Sequence, residues 1–260
     1  MAMRWLTAFI DRPAEDFDST VAFWAAITGS TISAPRGTDG EFATLIPATG
    51  DSYLRVQRVV SGGGHHLDVH VGDVMYTVAR AEELGASVEH ELAGIPVMRS
   101  PAGLPFCVVA DQGLAAVPEP VALEPGGPTT SADHLCIDVP AEHFAAECQF
   151  WAAFTGWPLR GIDEPDYAGL GKPAELPLGL LLQRLGDDSP TPVASAHLDF
   201  GCDDVDAVVP AHERLGATLL AEREHWTVLA DPAGHPYCLI RQPPSRRRGD
   251  VTGQNPCARR

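Results

Sequence analysis

His66-Leu67-Asp68-Val69 returns as His197-Leu198-Asp199-Phe200, and this restated strand decides the fold. Working outward, Leu84-Gly85-Ala86 returns as Leu215-Gly216-Ala217. Pro101-Ala102-Gly103 with Pro105-Phe106-Cys107 returns as Pro232-Ala233-Gly234 with Pro236-Tyr237-Cys238, and every pair is displaced by 131 positions. Upstream, Phe23-Trp24 and Thr28-Gly29 recur as Phe150-Trp151 and Thr155-Gly156 with a displacement of 127, which places a short insertion in the second copy after Gly156. A repeat much longer than ~50 residues is a duplicated globular domain rather than a solenoid unit. The 260 residues hold two such copies at ordinary domain size, each expected to bury its own core.

Periodicity sets the order of elements. Arg4 to Ile10 reads as a strand, Ala14 opens an amphipathic helix through Phe17, Val21, Trp24 and Ile27, and strands follow near Thr31, Phe42 to Ile46 and Tyr53 to Val59. After Gly62-Gly63-Gly64 the alternation of Leu67, Val69 and Val71 gives another strand, Asp73 can cap a second helix, and three strands complete the copy. Each copy is thus two βαβββ units in an α+β fold. The expected boundaries are residues 1–112 and 131–242 for the domains, 113–130 for a Pro/Gly-rich linker and 243–260 for a basic disordered tail.

Composition excludes several partners. A formal charge of −17, and of −22 over residues 1–240 with 12 basic against 34 acidic groups, argues against nucleic acid and anionic membranes. It favours neutral or cationic small molecules. No apolar run approaches the ~18–20 residues that a spanning helix needs, and the first residues lack a signal-peptide pattern, so a cytoplasmic protein, monomeric or homodimeric, is expected. Cys107 and Cys238 sit at equivalent places in apolar strands and are expected as reduced core thiols.

The Phe-Trp-(x)3-Thr-Gly helix end, His-Leu-Asp at 66 and 197, Leu-Gly-Ala, and Ser100-Pro101-Ala102-Gly103 or Asp231-Pro232-Ala233-Gly234 together resemble the vicinal oxygen chelate superfamily, which includes glyoxalase I, bleomycin-resistance proteins and extradiol dioxygenases. The resemblance covers nearly all of both copies. It implies tandem glyoxalase-like domains in which two βαβββ units curl a mixed sheet into a ligand-holding cup.

Metal-dependent relatives take donors from the first, fourth, fifth and eighth strands, the last a Glu. Those motif positions fall on Thr7, Gln57, His66 and Pro105 in copy one and on His134, Gln183, His197 and Pro236 in copy two. Copy one then offers a single imidazole and is expected to be metal-free. Copy two offers a possible divalent-metal pair in His134 and His197, but Pro236 removes the carboxylate that glyoxalase or dioxygenase chemistry needs. His66 and His197 read equally as half-buried strand histidines, and His235 as a substitute third ligand. Asp68 and Asp199 are read as facing away from their histidines in structural roles. Tyr53 and Trp5, and Tyr167 and Trp226, are the aromatics expected along the cup walls. The resulting expectation is a metal-independent small-molecule binder using Thr7, Tyr53, Gln57, His66, His134, Gln183, His197 and Trp226. The alternative is a metal-dependent lyase, isomerase or dioxygenase in the copy-two cup.

Overall fold

The duplicated pattern becomes two matching sheets in a computed structural model that describes residues 3–161 and 166–244. In copy one the chain runs β1 (Met3–Pro13), α1 (Ala14–Ile27), β2 (Thr31–Ile32), β3 (Phe42–Ile46) and β4 (Leu54–Val59). It continues through β5 (Gly64–Val71), α2 (Val74–Glu83), β6 (Ser87–Leu92), β7 (Ile95–Arg99) and β8 (Pro105–Ala110). The eight strands form one mixed sheet in the order β2-β3-β4-β1-β5-β8-β7-β6, so the two βαβββ units meet where β1 runs antiparallel to β5. Asp73 caps α2 as its position suggests, Oδ1 accepting from the Tyr76 N–H at 3.0 Å.

Copy two repeats the plan with β10 (Thr129–Val139), α3 (Phe144–Thr155), β11 (Leu159–Gly161), β12 (Tyr167–Leu170) and β13 (Gly179–Arg184). Its second unit is β14 (Ser195–Cys202), α4 (Val205–Arg214), β15 (Thr218–Glu222), β16 (Trp226–Ala230) and β17 (Pro236–Ile240). Its sheet order matches that of copy one, with β9 (Val121–Ala122) added beside β10. Neither sheet closes into a barrel. Strand register locates the insertion: Gln57 lies across from Asp11 and Gln183 from Asp138, so the extra residues fall between β13 and β14 rather than directly after Gly156. The Pro-rich connection is tied down, since Asp51 Oδ2 accepts from the N–H groups of Ala115 and Ala116, each at 2.8 Å. The basic tail expected over 243–260 lies almost wholly outside the described residues.

Burial corrects the expectation that each copy encloses its own core. One continuous apolar cluster joins both copies. Trp24 on α1 stacks on Phe200 and meets Tyr237 edge-on, both of copy two, with ring centroids 6.0 and 5.3 Å away, while Phe106 of copy one meets Phe150, Trp151 and Phe154 of copy two at 5.4–6.0 Å. These two seams occupy equivalent places in the repeat, and their polar centres differ.

In the first seam Asp231 Oδ2 accepts from Arg12 Nε (3.1 Å), Arg12 Nη2 (2.6 Å) and Trp24 Nε1 (3.1 Å), with both charged side chains fully buried. In the second, Ser100 replaces Asp231 and the carboxylate comes from the helix. Glu147 Oε1 accepts from Trp151 Nε1 at 2.7 Å and Oε2 from the Ala102 N–H at 2.8 Å. Burial pushes the Glu147 carboxyl up, with no buried Arg beside it, because Val139 stands where copy one has Arg12.

Candidate functional site

Strand alternation gives each sheet two faces. Leu6, Ala8, Ile10, Leu67 and Val69 face the shared core, so Phe9, Asp11, His66 and Asp68 face the cup. Residues two apart on a strand share a face, which corrects the placement of Asp68 and Asp199 away from their histidines. In copy two, His197 Nε2 lies 3.3 Å from Asp199 Oδ1. Asp68 and Asp199 are both buried, at 6% and 3% exposure, each beside the histidine of its own copy.

Each floor is built around one histidine. His66 Nδ1 lies 2.6 Å from Asp11 Oδ2, and His197 Nδ1 lies 2.8 Å from Asp138 Oδ2. Asp11 and Asp138 are repeat equivalents that no sequence motif had singled out, although their shared displacement of 127 and their place four residues beyond Thr7 and His134 carried the signal. Burial opposes charge on His66, but Asp11 and Asp68 outweigh it and hold the ring's pKa above its ordinary value. Around His197 burial likewise opposes charge, but Asp138 and Asp199 outweigh it, and the rise is larger in kind. Both rings are thus held beside carboxylates.

The thiols complete the floors: Cys107 is half-buried rather than in the core, whereas Cys238 is buried at 7% exposure, and both are free. Cys107 pairs in register with Asp68 and Cys238 with Asp199, on the cup face of the last strand. Ligand atoms of His66, Asp68 and Cys107 lie within 4.8 Å of one another, as do those of Cys136, His197 and Asp199. Copy one therefore presents three donors rather than a single imidazole. The five described cysteines are all free, and burial pushes those of the floors up.

The other expected site residues scatter. Gln57 and Gln183 are half-buried and pair across from Asp11 and Asp138, at the rims of the two floors. Thr7 is fully buried, its hydroxyl 3.0 Å from His70 Nε2. His134 belongs to neither donor group; it lies against Gly179 and Lys172, where burial holds its pKa down. Trp226 and Tyr167 meet edge to face at 5.9 Å, and Tyr167 lies near Cys136, Cys238, Asp199 and His197, so both stand beside the copy-two floor.

Three residues belong elsewhere. Tyr53 lies at the junction of the copies, interacting with Ser131 beside a cavity of about 20 Å³ that also touches Ile27, Pro118 and Phe200. Such a space suits roughly one water. Trp5 is in the core, donating from Nε1 to Ser52 O at 3.3 Å. His235 sits at the first seam, its N–H donating to Asp231 Oδ1 at 3.0 Å and its ring against Gly63, where a Cβ would approach to 2.9 Å.

The two cups differ where it matters for a ligand. In copy one Phe9 stacks on His66 at 4.3 Å between centroids, meets Phe42 edge-on at 6.2 Å and carries the Arg55 guanidinium 5.8 Å above its ring. Arg55 Nη1 also lies 3.8 Å from Asp68 Oδ2. In copy two the register puts Cys136 in place of Phe9 and Leu181 in place of Arg55.

A chain with two such cups is a tandem glyoxalase-like protein. The glyoxalase-like domain family matches residues 7–109 and 134–240, and the chain belongs to that family, within the vicinal oxygen chelate superfamily. Among solved structures, it is similar to 2,2',3-trihydroxybiphenyl 1,2-dioxygenase from dibenzofuran-degrading Sphingomonas wittichii, with a TM-score of 0.64, 16% identity, and coverage of 92% of this chain and 90% of that one. It is similar to the Mn(II)-bound glyoxalase from Novosphingobium aromaticivorans, with a TM-score of 0.62, 18% identity, and coverage of 95% and 85%. A triple mutant of 4-hydroxymandelate synthase from Streptomyces coelicolor gives 0.61, 15% identity, and coverage of 95% and 94%. At these identities the likeness is one of fold. No curated protein matches the sequence, and among the described residues no helix is long and apolar enough to cross a membrane.

Proposed function

We propose that the chain binds a small organic molecule in the cup of copy two, with Tyr167, Trp226 and Gln183 as walls and the Asp138–His197–Asp199 cluster as floor. The observation that carries this is the missing cover. Phe9 and Arg55 lie over the His66 floor of copy one, whereas Cys136 and Leu181 replace them over His197. A concave apolar wall with a few convergent polar groups is what ligand sites use. The floor carries two carboxylates around His197, and the body is strongly acidic, so neutral or cationic aromatic molecules fit best. Binding of an aromatic fragment panel, observed by ligand NMR, should fall at least tenfold in Trp226→Ala and His197→Ala. A panel with no member bound below millimolar overturns the proposal.

A structural neighbour that binds Mn(II), the glyoxalase from Novosphingobium aromaticivorans, favours a second reading, a metal-dependent lyase, isomerase or dioxygenase. The donor pattern implied by the family resemblance fits this chain poorly. His134 stands outside the donor group and Pro236 supplies none.

A further inference from the structure

We infer that the copy-two floor is a thiolate cation site in which Cys136, His197 and Asp199, with Cys238 alongside, take zinc or a comparably soft divalent ion. This deepens the proposal of a copy-two ligand cup, and it uses a different donor set from the one the family resemblance implies.

Four observations converge on it. First, the donor atoms of Cys136, His197 and Asp199 already lie within 4.8 Å of one another, and all three residues are buried. Tetrahedral zinc with Zn–S of ~2.3 Å and Zn–N or Zn–O of ~2.0–2.2 Å needs donors roughly 3.3–3.8 Å apart, so side-chain adjustment suffices. Second, Asp138 holds His197 Nδ1 at 2.8 Å, which leaves Nε2 directed at the cluster. A carboxylate behind a ligating imidazole is the usual outer partner of a bound metal.

Third, Asp199 Oδ1 is buried without a hydrogen bond; its 3.3 Å approach to His197 Nε2 lacks hydrogen-bond geometry. A buried carboxylate oxygen left this way asks for a cation. Fourth, copy one answers the same need internally. Arg55 stands 3.8 Å from Asp68, and its register equivalent in copy two is the uncharged Leu181. The exchange of Phe9 for Cys136 then adds a soft donor where copy one has a ring.

Thiolate and imidazole ligands select zinc, cobalt, cadmium or cuprous copper over magnesium, calcium or manganese. The step balances without a redox partner. Cys136 loses its thiol proton and His197 its Nε2 proton to solvent as the metal–sulfur and metal–nitrogen bonds form.

The test uses the full chain, dialysed against zinc or cobalt(II) and measured by elemental analysis and absorption. One ion per chain is expected, with thiolate-to-cobalt charge transfer in the near ultraviolet. Cys136→Ser and Asp199→Asn should each weaken zinc at least a hundredfold, while Cys107→Ser in copy one leaves it unchanged. If Cys136→Ser does not fold, the wild-type protein decides. Bound zinc should slow alkylation of Cys136 at least tenfold, read by peptide mass spectrometry, while Cys107 reacts at its zinc-free rate. No binding at micromolar zinc overturns the inference, as does binding that survives Cys136→Ser or leaves Cys136 alkylation unaffected. Fragment binding measured with and without zinc separates this failure from failure of the ligand cup itself.

Discussion

Asp231→Ala should strip the first seam of its anion and of five accepted hydrogen bonds. Three come from Arg12 Nε, Arg12 Nη2 and Trp24 Nε1, and two from the N–H groups of Ala233 and His235 at 3.0 Å each. What remains is a guanidinium at 0% exposure whose surviving acceptors are Asp11 O at 2.7 Å and Gly64 O at 2.9 Å. Breaking one partner of a buried pair costs about 3–5 kcal/mol. The double variant Arg12→Met with Asp231→Ala should recover much of this, because an unpaired buried charge dominates the loss. Urea unfolding followed by circular dichroism gives both values. The exposed pair Arg214–Glu124, at 62% and 69% side-chain exposure, serves as the comparison and should contribute at most ~1 kcal/mol. An Asp231→Ala loss no larger than that of Glu124→Ala would refute the claim that this ion pair locks the copies together.

Three further outcomes are expected. Residues 1–112 and 130–242 produced separately should fail to give the cooperative melts that two independent cores would give, because each exposes half of the Trp24 and Phe106 seams; sharp transitions near the full-chain temperature would contradict the shared core. Burial drops the pKa of His70 and His212 from 6.5 to about 4, so the unfolded chain binds more protons between those values. Their stabilisation is full above about 6.5, is lost as the pH falls toward 4, and reaches at most ~3 kcal/mol each. His212→Gln should flatten the decline in urea midpoint between pH 6.5 and 4.5, and an unaltered slope speaks against buried neutral histidine. Cys136→Phe, which installs the cover of copy one, should abolish fragment binding, with a cost of ~1–3 kcal/mol from overpacking; retained fragment affinity in a folded variant would show that the ligand sits elsewhere.

The repeat made most of the fold legible. Equal displacements fixed two copies, and local chemistry placed Asp73 as a helix cap and Phe42 to Ile46 as a strand. His66 and His197 were legible too, as the polar members of alternating strands. Their carboxylate partners were less so. Asp11 and Asp138 sit on other strands, 55 and 59 residues away, and only register brings them to the rings. Cys107 and Cys238 were hidden by apolar neighbours, because composition does not say which face of a strand looks into the cup. The Arg12–Asp231 pair joins residues 219 apart across two copies, and no local pattern announces such a contact.

A crystal structure of the full chain soaked with the tightest aromatic fragment places the ligand directly. The account predicts density in copy two against Trp226 and Tyr167, within hydrogen-bond reach of His197 or Gln183, and none over the Phe9–His66 stack of copy one. Density over copy one, or confined to the seam cavity beside Tyr53, would contradict it.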